Sequence, residues 1–186
     1  MRADAQRNRA KVLEAASAAF AAEGLAVPVQ EIARRAGVGT GTVSRHFPTK
    51  EALFEAIVLD RVGRLMDRAR SLATTQDAGA AFFEYFAYMV EEGALNRGLA
   101  EAFAGTGFDM EAAASKAGYD VTAALRELLT NAQQAGAVRA DVDTADVKAL
   151  MFGCLARERD HADPAARDRI ITVVREGLSA SPSPAA

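Results

Sequence analysis

Gly24, Pro28, Gly37 and Pro48 leave room between residues 24 and 48 for only two short helices. Glycine commonly closes a helix at its C-terminus, and proline is tolerated in a first turn but stops a helix elsewhere. A long first helix is predicted from Gln6 to about Glu23, with Val12, Ala16, Ala19 and Phe20 at helical spacing. The second follows Pro28, turns Ile32, Ala33 and Ala36 inward and ends at Gly37. A third, about Thr40 to Phe47, buries Val43 and Phe47 and leaves Thr40, Thr42, Ser44, Arg45 and His46 largely outward. Thr49 is placed to cap a fourth helix, with Glu51 favourably set against its N-terminal dipole. That helix buries Leu53, Phe54, Ile57 and Val58 and runs to about Leu72.

The rest of the chain reads the same way. Alanine is abundant, β-branched residues are scattered and no strand pair stands out, so the fold class is all-α. Further helices are expected near 77–92, 94–104, 110–135, 144–158 and 165–179, punctuated by Gly93, Gly105, Gly107, Gly136 and Pro164. Asp143 or Thr144 can cap the penultimate helix, and Asp163 before Pro164 suits the start of the last. The proline- and serine-rich end, 180–186, is expected to be a disordered tail.

Charge separates the two parts. Residues 1–50 hold eight Lys/Arg against four Asp/Glu, an excess of +4, so in a chain of net charge −3 the remainder carries −7. A basic N-terminal unit on an acidic body points to a polyanion partner for the first part alone. The single cysteine, Cys154, excludes an internal disulfide and fits a reducing compartment. No apolar run reaches membrane-spanning length and the N-terminus lacks a signal-peptide core, so a cytoplasmic protein is expected. His46 and His161 are far apart and no Cys/His/acid cluster has metal-ligand spacing. With no nucleophile–base pair either, neither a cofactor, a metal nor an enzymatic activity is expected.

The chemistry-bearing stretch is the turn and short helix after Gly37. Two short helices joined by a small glycine-bearing turn form a helix-turn-helix, whose second helix can lead into a major groove with its N-terminal residues. Gly39 and Gly41 let the backbone approach closely, Thr40, Thr42 and Ser44 offer hydroxyls to phosphate oxygens, and Arg45 and Lys50 flank them with charge. A double-stranded DNA partner accounts best for that composition.

The run "IARRAGVGTGTVSRHFPTKEALFEAIV", preceded by a first helix ending in "FAAEG", resembles the TetR family of transcriptional regulators over roughly residues 9–58. Ile32, Ala33, the run Ala36–Val38, Gly41, Phe47, Lys50, Glu51 and Leu53 carry the resemblance together. It implies an N-terminal three-helix DNA-binding domain, residues 1–48, and a larger helical ligand-binding and dimerisation domain, residues 49–179. It further implies that Thr40, Thr42 and Arg45 face the groove, that His46 and Lys50 meet phosphates, and that Gln30 clamps the adjacent strand. Two departures affect the footprint: Ser44 stands where the family usually has tyrosine, and Pro28 where a capping threonine is common.

Two expectations concern the body. Phe82, Phe86 and Met89 share one helix face and, with Phe103, Phe108 and Tyr119, are candidates to line a pocket for a largely apolar small molecule. Val147, Met151, Cys154, Ile170, Ile171, Val174 and Leu178 make stripes on the last two helices that suit a four-helix homodimer interface. The reading is a repressor that binds a pseudo-palindromic operator as a homodimer and is released by a ligand. Its rivals are a ligand-independent regulator and a helical protein-interaction module with a basic head.

Overall fold

The computed structural model describes residues 2–104, 107, 109–158 and 162–180. Among these the chain forms ten α-helices: α1 (Arg2–Glu23), α2 (Val29–Ala36), α3 (Thr40–His46), α4 (Lys50–Thr75), α5 (Ala78–Leu95), α6 (Arg97–Ala104), α7 (Met110–Lys116), α8 (Val121–Gln134), α9 (Thr144–Arg157) and α10 (Pro164–Leu178). No strand occurs among the described residues beyond one isolated bridge between Val138 and Ser179. No described helix is long and apolar enough to cross a membrane. His161 and the tail beyond Ala180 lie outside the described residues.

The single helix expected over 110–135 is two. Gly118 has φ of +79°, a left-handed conformation that favours glycine, and ends the turn after α7. The Asp120 carboxylate then accepts the Ala123 N–H at 2.7 Å and starts α8 afresh.

The helices gather into two compact units, Met1–Gly63 with Asn96–Tyr119, and Arg64–Leu95 with Asp120–Ala186. The expected boundary at residue 48 falls inside the core of the first. There Val12, Ala16, Ala19 and Phe20 of α1 pack with Ile32, Ala33 and Val43, and also with Leu53, Phe54, Ala56 and Ile57 of α4 and Leu99 of α6. Phe20 and Phe54 meet edge to face, ring centroids 4.8 Å apart. The start of α4 is therefore part of the head, because each large apolar side chain it buries contributes about 1.5–3 kcal/mol. Helix α6 lies close on α1: a Cβ at Gly98 would stand 2.6 Å from the Ala21 carbonyl oxygen.

The core of the second unit is built on Phe82, Tyr85, Phe86 and Val90 of α5 with Leu125, Leu128, Leu129 and Ala132 of α8. Four residues expected at a dimer interface, Val147, Cys154, Val174 and Leu178, are buried in this same core. These four side chains are covered within the chain itself. Met151, Ile170 and Ile171 are half-buried against it. What α9 and α10 leave outside is Phe152 and Val173, 66% and 67% exposed, together with Leu150.

Two polar devices fix these last helices. The Asp143 carboxylate accepts the Ala145 and Asp146 N–H groups while the Asp146 carboxylate accepts the Asp143 N–H, a reciprocal capping box that opens α9. Between α9 and α10 the Glu158 carboxylate is only 2% exposed; it accepts the Asp163 N–H at 2.7 Å and the Arg167 guanidinium at 3.1 Å.

Candidate nucleic-acid interface

Gly37 closes α2 in the left-handed conformation at φ +66°, with its own N–H and that of Val38 bonded back to Arg34 and Ala33 carbonyls. Gly39 then starts α3 from an extended backbone, and its carbonyl accepts the Thr42 N–H at 2.8 Å. Val43 anchors α3 in the core and Phe47 closes it. The outward residues follow from those two anchors: Gly39, Thr40, Gly41, Ser44, Arg45 and His46 are exposed and Thr42 is half-buried. Gln30 is exposed in the first turn of α2. The structure thus places Gly39 to His46 on one short helix and the turn before it, with Gln30 on the preceding helix.

Lys50 is the exception. It is half-buried, and its Nζ donates to the Leu25 carbonyl at 3.0 Å, which ties the start of α4 to the loop after α1. Arg45 donates Nε to the Gly41 carbonyl at 3.0 Å, so its guanidinium lies along its own helix.

Gly41 is open on its outer side: a Cβ there would meet nothing within 4 Å. Nothing within the chain demands glycine at this position. Glycine is a poorer helix former than alanine, by at most about 0.5–1 kcal/mol in a helix interior, and Gly41, in the first turn of α3, gains no packing in return.

The cations of the head differ in how far they are neutralised. Arg34 grips Glu31 with two bonds, at 2.7 and 2.8 Å, and Arg35 bridges Glu31 and Glu23. These bonds from Arg34 and Arg35 hold the Glu31 carboxyl down to about 2. Arg7 pairs with Asp4. Arg34 and Arg35, adjacent in the sequence, are therefore occupied with acids. The signal was present in the sequence, since Glu31 precedes them by three and four residues, the spacing of helical ion pairs.

Arg9 was missed as anything more than one charge in a count. Its guanidinium lies over the Phe47 ring, 5.6 Å from the centroid, and that contact joins α1 to the end of α3. Nothing in the local sequence signals it, because the partners are far apart in the chain.

The pocket candidates divide between the units. Phe82 and Phe86 are core residues of the second unit and Met89 is half-buried against it. Tyr119 belongs to the first unit, where its hydroxyl stands 3.4 Å from where a Gly63 Cβ would be. The Phe103 side chain and Phe108 lie outside the described residues. Burial pushes the Cys154 thiol up, which suits a core residue rather than a reactive one.

Comparison with known proteins agrees with this architecture. The family model for bacterial regulatory proteins of the tetR family matches residues 12–57, and the model for the C-terminal domain of SbtR-like transcriptional regulators matches residues 77–180. A TetR transcription regulatory protein from Mycobacterium vanbaalenii is 48% identical, superposes with a TM-score of 0.77, and the match covers 96% of this chain and 98% of that one. The TetR transcriptional regulator SCO0520 from Streptomyces coelicolor is 30% identical with a TM-score of 0.79, covering 94% and 99%. The HTH-type transcriptional regulator UidR of Escherichia coli is 26% identical over 170 residues, 84% of each chain. These relatives are regulators rather than enzymes. With both of its regions matched by family models and a relative 48% identical along nearly its whole length, the chain belongs to the TetR family of DNA-binding transcriptional regulators.

Proposed function

We propose that the protein is a ligand-released repressor that binds a pseudo-palindromic operator as a homodimer, with α3 in the major groove. The observation that carries the reading is the outer face of α3. Its exposed side chains are small or hydrogen-bonding, and Gly41 is kept where the chain gains nothing from it. Thr40 and Thr42 then face the bases or their backbone, Arg45 swings off Gly41 to a base edge, and His46 and Ser44 meet phosphates, as does Lys50 once its Nζ turns off the Leu25 carbonyl, with Gln30 on the adjacent strand.

The primary experiment titrates the protein against a labelled duplex from the DNA beside its own gene, at two salt concentrations. Tight, sequence-selective and salt-sensitive binding supports the reading; equal weak binding to a scrambled duplex, followed by an empty random-duplex selection, removes it. Gly41→Ala separates the two uses of the residue. It is expected to stabilise the chain by about 0.5–1 kcal/mol while weakening selective duplex binding several-fold. A variant that gains stability and binds undiminished would mean that nothing approaches Gly41.

Homodimerisation rests on Phe152 and Val173, the large apolar side chains that α9 and α10 leave outside, and on Gly153 and Gly177, where an added Cβ would meet nothing. These replace the buried stripe as the self-complementary face. Sedimentation equilibrium decides it: a monomer at micromolar concentration removes the two-fold operator with it.

Ligand binding is favoured by Tyr85. Its ring is fully buried in the second unit's core and its hydroxyl has no hydrogen-bond partner among the described residues. Desolvation raises its pKa, so the group stays neutral. A buried orphan hydroxyl costs about 1–3 kcal/mol, which a neutral, mainly apolar molecule carrying one carbonyl or hydroxyl would offset. Tyr85→Phe is expected to raise the melting midpoint of the free protein and to abolish operator release by such a compound. A lowered midpoint would mean that the hydroxyl already has its partner in water.

A further inference from the structure

The positive excess of residues 1–50 is spread over cations that are not equally free to meet a ligand. Arg34 and Arg35 are held by Glu31 and Glu23, Arg7 by Asp4, and Lys50 by the Leu25 carbonyl. Arg45 bonds the carbonyl of its own helix. Arg9 is different. It is exposed, it has no carboxylate partner among the described residues, and its guanidinium is laid over Phe47, the residue that ends α3. Phe47 in turn adjoins His46, with ring centroids 6.1 Å apart. Lys11, two residues on, lies on another face of α1, beside a groove that Arg35 and Ala36 of α2 also line.

We infer that Arg9 of α1 is a DNA-backbone contact that extends the footprint of α3 past its C-terminal end. The inference rests on the groove-binding reading of α3 given above. A helix in the major groove has a phosphate wall on either side of it. A guanidinium placed over the residue that closes that helix is carried to one wall together with His46. The aromatic face orients the cation without neutralising it, as a carboxylate would, so the charge stays available for a phosphate oxygen. Arg9 stands three residues before Val12, where the family model for the head begins to match.

The test uses the full chain and a duplex it binds selectively, and measures affinity between about 50 and 200 mM salt, where each neutralised phosphate adds about 0.9 to the log–log slope. Arg9→Gln is expected to flatten the slope by about 0.9 for each phosphate it no longer neutralises, so the ratio of affinities at the two salt limits falls about 3.5-fold per phosphate. Selectivity over a scrambled duplex should stay the same, because phosphates carry no sequence information. Arg34→Gln should leave the slope where it was, since that guanidinium is already spent on Glu31, and Arg9→Lys should keep most of it. Matching melting midpoints for the three variants exclude an effect of folding. An unchanged slope in Arg9→Gln, or equal flattening in Arg34→Gln, overturns the inference. If the wild-type chain binds no duplex selectively, it is the groove reading that has failed, and the inference falls with it.

Discussion

Gly98→Val should lower the stability of the first unit by about 3 kcal/mol, and Gly98→Ala by about 1–2 kcal/mol. On propensity alone the alanine variant would gain up to about 1 kcal/mol, because glycine is a poor helix residue. Packing decides the opposite sign. A Cβ on Gly98 would sit 2.6 Å from the Ala21 carbonyl oxygen and 3.3 Å from the Ala21 Cα and carbonyl carbon. All three are backbone atoms of α1, with no rotamer to yield, so α6 would have to move away and lift Leu99 from the core it shares with Phe20 and Ile32. Urea unfolding of the full chain measures the loss, and amide exchange along α1 shows where it falls. An alanine variant as stable as the parent would mean that α6 slides on α1 freely.

The second large effect is expected at Glu158. Its carboxylate is buried, as is most of Arg167, whose side chain is 12% exposed. Glu158→Ala removes the acceptor for both the Arg167 guanidinium and the Asp163 N–H, leaving a largely buried cation without that carboxylate. Breaking such a pair from one side costs about 3–5 kcal/mol. That figure is the cost of an uncompensated charge and not the net value of the pair, so replacing Glu158 and Arg167 together by apolar residues of similar size should cost far less. Glu158→Gln retains an acceptor for the Asp163 N–H and should fall between. The urea midpoint again reports it, and near-equality of the single and double variants would show that Arg167 finds water when its partner goes.

The head was legible because its limits are chemical. Pro28, Gly37 and Pro48 each impose a backbone constraint that no tertiary contact overrides, and the observed α2 and α3 follow them. The outward set on α3 was legible for the same reason, since fixing Val43 and Phe47 inward decides where the other five side chains point. The stripes on α9 and α10 were equally clear and yet ambiguous. An apolar row at i, i+3, i+4 says that a face is covered, and reads identically whether the cover is the chain's own α5 and α8 or a second copy. Val147 and Cys154 proved to face inward, while Val173, three residues after Ile170 on the same row, is left outside together with Phe152, which lies off the row. The break between α7 and α8 was missed because alanine runs on either side of Gly118 favour helix, and only the positive φ reveals the interruption. Arg9 on Phe47 and Glu158 beneath Arg167 were invisible for another reason: they are pairings of side chains, and a single sequence records no distances.

The first unit is assembled from two stretches of chain, with α6 and α7 returning to a head that began at α1. That interleaving limits how such a regulator can be recombined. A chimera that spliced this reading head to a foreign sensor at residue 48 would discard Leu53, Phe54, Ile57 and Leu99, and would leave α1 with a bare apolar flank where they had packed. The transplantable unit is two fragments long. A graft that respects it has to carry residues 96–119 along with the head, so that specificity for DNA cannot be exchanged without also importing part of the donor's middle.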